Sequence, residues 1–231
     1  MAKKNTDKVV FHQIKVLDAG AKGVSVAKAP DGKVIFIPNV VPGDVVDVQT
    51  FKKRKAYYEG KAVKFHEFSE HRTEPVCEHF GVCGGCKWQN MKYSQQLHYK
   101  HNEVYNNLKR IGKIEIPEFE PILGSEKQFF YRNKMEFGFS STRWMTPEEV
   151  ASGADLDNKN AVGFHIPRMW DKILDITTCH LQEDPSNDIR NEIRRFANEN
   201  NLSFYNPRTN EGLLRTLMIR TASTGELMIL I

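Results

Sequence analysis

The chain has 231 residues, a net charge of +4 at pH 7, 40% hydrophobic and 27% charged residues, a balance that suits one or two globular domains of roughly 100 to 200 residues each. No apolar run approaches the ~18 residues of a membrane span. The start Met1-Ala2-Lys3-Lys4-Asn5 lacks the apolar core of a secretion signal, so a reducing, cytoplasmic location and no membrane partner are expected.

The charge is uneven. Residues 1–64 hold thirteen Lys/Arg against six Asp/Glu, a net +7, while the remainder sums to −3. A basic module is the electrostatic footprint expected for a polyanion such as RNA. From charge alone, a solvated lysine-rich surface fits equally well.

Residues 9–66 read as five short strands, over 9–17, 23–27, 34–37, 44–53 and 56–65. Gly20, Asp31-Gly32 and Pro42-Gly43 break the β-branched stretches between them. Five strands in under seventy residues predict a small closed all-β barrel of the OB type, an architecture that often binds oligonucleotides. The run Lys52-Lys53-Arg54-Lys55 lies between the last two strands and is followed by Tyr57 and Tyr58. Cations beside exposed aromatic rings suit single-stranded RNA, because the charges attract phosphates while rings stack on bases. A solvated hairpin tip with both tyrosines packed inward is the alternative.

Residues 67–92 form a loop rich in glycine and cysteine. A helix follows, with Ser94 as a candidate cap, an apolar stripe through Leu97, His101, Val104, Leu108 and Ile111, and Gly112 at its end. His98 and His101 lie on this helix without a third ligand, and read as surface and packing residues. From residue 119 the pattern is mixed α and β, with strands expected over 119–123, 130–139, 161–166 and 173–176. Thr146-Pro147-Glu148-Glu149 carries a cap, a first-turn proline and an acidic third position, the signature of a helix start. Residues 153–160 read as a polar loop. A longer helix is expected over 185–200 with Ile189, Ile193 and Phe196 facing inward, followed by a hairpin over 213–220 and 227–231 that turns at Thr224-Gly225. The closing run Leu227-Met228-Ile229-Leu230-Ile231 reads as a strand interrupted in a buried position, which suggests a truncated chain. The domains expected are therefore a barrel over 1–66, a cysteine loop over 67–92, a helical linker over 93–118 and a central α+β domain over 119–231.

All four cysteines fit one pattern. Five residues separate Cys77 from Cys83, two separate Cys83 from Cys86, and Cys179 follows after ninety-two more. Four thiolates complete either a tetrahedral zinc site or an iron–sulfur cubane, and disulfides are disfavoured by the expected compartment. Structural zinc sites tend to use two close pairs. Three ligands from one glycine-rich loop and one from far away favour a [4Fe-4S] cluster, with zinc as the competitor. His79 and His180 adjoin two of these cysteines and read as supporting or surface residues.

A basic N-terminal barrel, then Cys77-x5-Cys83-Gly84-Gly85-Cys86, then Asp175-Ile176-Thr177-Thr178-Cys179-His180, resembles the bacterial RNA (uracil-5-)-methyltransferases that carry an N-terminal TRAM domain. Tyr131-Arg132-Asn133-Lys134 and Leu214-Arg215-Thr216-Leu217-Met218-Ile219-Arg220 also look like segments of that family. The resemblance implies that Cys77, Cys83, Cys86 and Cys179 bind [4Fe-4S]. It implies an S-adenosylmethionine-dependent enzyme acting on 23S rRNA or tRNA, in which a further cysteine attacks C6 of uracil and a base removes the C5 proton. Those catalytic parts lie in a C-terminal Rossmann-like domain, which is expected to be absent here, so no catalytic and no S-adenosylmethionine-binding residue is assigned and no methyl transfer is expected from these residues alone. A monomer is expected. The RNA contacts expected are Lys52, Lys53, Arg54, Lys55 and Tyr57 in the barrel, with Arg132 and Lys134 alternating along a strand beyond it. Two other readings stay open: a zinc-stabilised RNA-binding adaptor, and a radical methylthiotransferase relative. The second is disfavoured by the five-residue spacing and by the N-terminal place of the barrel.

Overall fold

Alternation of buried and exposed residues, interrupted at glycine-bearing turns, builds the first half of the chain. The computed structural model describes residues 9–153 and 159–231. It divides into two units, one of Met1–Pro75 with Lys87–Ser125, the other of Val76–Cys86 with Glu126–Ile231. This differs from the division expected from sequence: the helix after the cysteine loop groups with the barrel, and the cysteine loop groups with the later residues.

In the first unit β1 (Val10–Gly20), β2 (Val24–Lys28), β3 (Val34–Pro38), β4 (Val45–Lys53) and β5 (Tyr57–Glu67) close into a barrel of order β1-β2-β3-β5-β4. Neighbours pair antiparallel except β3 and β5, which run parallel. Closure leaves no free strand edge. Ile14, Val16, Ala27, Ile35, Ile37, Val46, Val48 and Tyr58 fill the interior, and each fully buried aliphatic side chain contributes about 1.5–3 kcal/mol. Register slips in β1 between Phe11 and Ile14, where Gln13 takes φ +51°. Asp47 secures that bulge by accepting the Gln13 N–H at 2.9 Å.

Helix α1 (Tyr93–Asn106) follows and runs on into a π turn over Asn107–Ile111. Ser94 does not cap it. Lys92 stands at the cap position without a side-chain bond, and its carbonyl accepts from Gln95 and Gln96. The strand expected over 119–123 is irregular chain, because Pro117 and Pro121 remove two ladder donors around it. Phe119 instead lays its ring against His101 and Tyr105, and the Tyr93 hydroxyl accepts the Ser125 N–H at 2.7 Å.

The second unit is an antiparallel sheet of β6 (Lys134–Ser140), β7 (Ala161–His165), β8 (Ile173–Asp175), β9 (Thr216–Thr221) and β10 (Leu227–Leu230), in the order β10-β9-β6-β7-β8. Inward residues of alternate register, among them Met135, Phe137, Phe139, Leu217 and Ile219, form its core. The short helix α2 (Pro147–Ala151) begins at the expected capping box, with Thr146 and Glu149 exchanging side chain–backbone bonds of 3.2 and 2.8 Å. The polar loop expected over 153–160 falls largely on residues 154–158, outside the described residues.

Three expectations are corrected in this unit. Residues 130–133 precede the strand, since Phe130 takes φ +55° and Phe130 and Arg132 donate to the carbonyls of His180 and Leu181. The inner face of α3 (Ser186–Glu199) is more polar than expected. Ser186, Asn187, Arg190 and Ala197 are buried while Phe196 is exposed. The closing strand β10 is not buried either: Leu227 to Ile231 are all exposed on the sheet's edge.

Candidate functional site

The four cysteines all lie in the second unit, on two segments that meet. The first is a tight coil in which Phe80 N–H bonds the Cys77 carbonyl, and Val82 and Cys83 both donate to His79. Gly81 takes φ +89°, a conformation glycine adopts without a Cβ penalty. Gly84 donates to the His165 carbonyl at 3.1 Å. A Cβ on Gly84 would stand 2.3 Å from that oxygen, so only glycine lets the loop lie this close to the end of β7. The second segment leaves β8 toward Cys179. Thr177 joins the two, its hydroxyl donating to Glu78 at 2.8 Å and its N–H to the His79 ring at 3.4 Å.

Helix α3 holds the Cys179 segment from behind. Asn187 accepts the Cys179 N–H at 2.8 Å and donates back to its carbonyl at 3.3 Å. Asn191 and Arg190 both donate to the Thr177 carbonyl. Cys83, Cys86 and Cys179 pack against the apolar core of the unit, and all four thiols are partly buried and free of disulfides.

Burial pushes the Cys83 thiol up to about 11 and raises Cys77 and Cys179 as well. Backbone N–H groups oppose the rise, from Gly85 at Cys83, from His79 and Phe80 at Cys77, and from Leu181 at Cys179. The thiols also disfavour one another's ionisation, which places the set within mutual electrostatic reach. Burial likewise lowers His79. Among the described residues, no group of three or more His, Cys, Asp or Glu stands ready-formed to hold a metal ion. The donor chemistry nevertheless suits a soft centre, with four partly buried thiols in one unit, three of them on its core, and amide donors directed at three sulfurs.

The expected RNA contacts divide between the units. At the β4–β5 hairpin Lys53, Arg54 and Lys55 are exposed, and Arg54 closes the turn by donating to the Tyr57 carbonyl at 2.8 Å. Lys52 is paired with Glu59 at 2.5 Å. Tyr57 is half-buried, edge-on to Phe36. Tyr58 is not an exposed ring at all: it is 6% exposed, and its hydroxyl donates to Asp31. In the second unit Lys134 pairs with Glu136 at 2.8 Å, which offsets its charge, and Arg132 is exposed just before β6. His98 bonds Asn102 and His101 packs on Phe119, in keeping with surface and packing roles.

A family model for the TRAM domain matches residues 12–63, the barrel. An uncharacterised RNA methyltransferase of Bacteroides thetaiotaomicron is 57% identical over 91% of this chain and 46% of its own length. The barrel is thus similar to TRAM domains, and nearly the whole chain is similar to part of a protein named an RNA methyltransferase. A second uncharacterised RNA methyltransferase, from Porphyromonas gingivalis, is 44% identical over 94% of the chain and 48% of its own length. The chain thus spans about half the length of the curated relatives it matches. Among solved structures, Pyrococcus abyssi tRNA (uracil-54, C5)-methyltransferase in complex with S-adenosyl-L-homocysteine superposes with a TM-score of 0.61 at 25% identity, over 94% of this chain and 45% of that one.

Sequence reasoning missed the polar backing that the chain places on α3. Ser186, Asn187 and Arg190 occupy the helical phase that also holds Ala197. The signal available was a run of polar residues at positions where the three- and four-residue spacing asks for apolar ones.

Proposed function

We propose that this chain is the RNA-binding and iron–sulfur part of an S-adenosylmethionine-dependent RNA (uracil-5-)-methyltransferase that works as a cytoplasmic monomer on 23S rRNA. The observation that carries the reading is that Cys83, Cys86 and Cys179 pack on one core, with Cys77 on the same loop as Cys83 and Cys86 and in the same unit, in a chain whose basic barrel matches the TRAM domain. In this reading the four cysteines hold a [4Fe-4S] cluster that ties the loop to the Cys179 segment and takes no part in a chemical step. Zinc in the same four thiols is the competing occupant. The hairpin cations Lys53, Arg54 and Lys55 meet phosphates, and Arg132 in the other unit is a separate phosphate contact. A second reading, with tRNA as substrate, is favoured by the name of the Pyrococcus abyssi neighbour.

Methyl transfer to C5 of uracil needs a nucleophile at C6, and all four cysteines of this chain are engaged in the proposed centre. The whole enzyme then supplies a further thiolate. It adds to C6, the methyl group leaves S-adenosylmethionine for C5, a base removes the C5 proton, and elimination of the thiolate restores the ring. The test is tritium release from RNA carrying C5-tritiated uridine, using the full-length protein with S-adenosylmethionine. Release from 23S rRNA and not from tRNA is expected, release from tRNA alone establishes the second reading, and release from neither overturns both. The 231-residue chain alone is expected to bind RNA and release no tritium.

A further inference from the structure

The most voluminous fully buried side chain among the described residues is a cation, Arg190, at 0% exposure. Burying a guanidinium costs several kcal/mol unless a charge or a full set of hydrogen bonds compensates. Among the described residues Arg190 has neither. Its Nη1 donates to Asn187 Oδ1 at 3.0 Å, and its Nη2 donates to the Thr177 carbonyl at 2.5 Å and to Asn191 Oδ1 at 3.4 Å. One face of the guanidinium lies over the Phe137 ring, 5.0 Å from its centroid. All these partners are neutral, and Nε has no partner among the described residues.

Carboxylates are near but committed elsewhere. Asp175 pairs with Arg194 and Asp184 accepts the Asn187 N–H at 3.0 Å; among the described residues neither forms an ion pair with Arg190. Geometry links Arg190 to the Cys179 segment, because Asn187 touches Arg190 with the same oxygen that accepts the Cys179 N–H.

We propose that Arg190 is the buried counter-charge of the four-thiolate centre, a positioning residue that holds the Cys179 segment through Asn187 and offsets the centre's net negative charge. The proposal rests on the reading of the four cysteines as ligands. Four thiolates around iron–sulfur or zinc leave a net anion, and one fixed cation in a low-dielectric interior lowers the cost of assembling it. The chain without metal then holds an unpaired buried cation, while the loaded chain does not.

The test compares the whole chain with R190K and R190Q, each purified anaerobically and supplied with iron and sulfide. Three quantities are read: iron release to a chelator, the midpoint potential of the centre, and the thermal stability of the metal-free chains. R190Q is expected to release iron roughly 10- to 100-fold faster, the usual cost of losing an outer partner of a metal site, and to shift the potential negative. R190K keeps the charge and is expected to restore most of both. Metal-free R190Q is expected to be no less stable than the metal-free parent, since removing an uncompensated buried charge brings relief. Equal iron release and potential in R190Q and parent overturn the proposal, as does a metal-free R190Q destabilised as much as the loaded one. If the parent carries zinc, the cluster reading falls alone and zinc release from the same variants decides on Arg190. If it takes up neither metal, both fall.

Discussion

Asp44 and Arg72 are locked by two parallel hydrogen bonds, from Arg72 Nε to Oδ1 at 2.8 Å and from Nη2 to Oδ2 at 2.7 Å, with the carboxylate wholly buried. The same carboxylate accepts the N–H groups of Val41 and Ser69. The guanidinium in turn lies over Phe65 and Phe68, so one pair ties the approach to β4 to the chain leaving β5. Removing one partner strands a buried charge. R72M is expected to cost the barrel about 3–5 kcal/mol, read by urea unfolding with Trp88 fluorescence. A loss below about 1 kcal/mol, the scale of an exposed pair, contradicts this.

The barrel should weaken in acid. Lys33 and Tyr58 bond Asp31 and hold its carboxyl down to about 2, and Gln13, His66 and His12 hold Asp47 well below the usual range. A carboxyl depressed in the folded state contributes stability above its unfolded value, about 3.9, and loses it as pH falls toward the folded value. The thermal midpoint should therefore hold from pH 7 to 5 and drop between pH 4 and 2. D31N should fall less steeply over that interval, and a parallel profile argues against the Asp31 contribution.

RNA affinity should reside in the hairpin tip. Replacing Lys53, Arg54 and Lys55 together with alanine is expected to flatten the plot of log K against log salt by up to about 2 for a single-stranded RNA, at ~0.7 per phosphate contact. K52A, whose side chain is already engaged with Glu59, should change the slope less than any one of the three. Fluorescence anisotropy across a salt series measures both. An unchanged slope in the triple variant removes this surface from the interface.

How far the sequence revealed these features depends on what each element owes to neighbours in sequence. The five barrel strands were legible because β-branched alternation and glycine turns are local signals, and α2 because Thr146 and Glu149 form a box within one turn. Residues 119–123 looked like a strand by residue type, yet two prolines and the shelter of Phe119 on α1 decide otherwise. Burial was misread where long-range pairing sets it, as at the exposed β10. The cysteine spacing drew attention to four residues, but the bonding of the Cys179 segment to Asn187, and of Asn187 to Arg190, was hidden, because helical periodicity ranks polar residues as outward-facing and these face inward to hold another loop.

Gly84 should be intolerant of even the smallest side chain. Its missing Cβ faces the His165 backbone carbonyl, which cannot swing aside as a side chain would. G84A is expected to displace the loop, costing about 1–3 kcal/mol as overpacked sites do, and to reduce retained iron severalfold. Equal iron in G84A and parent contradicts the close-approach argument.

The role of the four cysteines is tested most directly by counting metal. The chain purified without oxygen is expected to be brown, to contain about four iron and four acid-labile sulfide per molecule, and to lose both in C179S, although ninety-two residues separate Cys179 from the Cys77–Cys86 loop. A colourless protein with stoichiometric zinc, or full iron retained in C179S, contradicts the [4Fe-4S] centre.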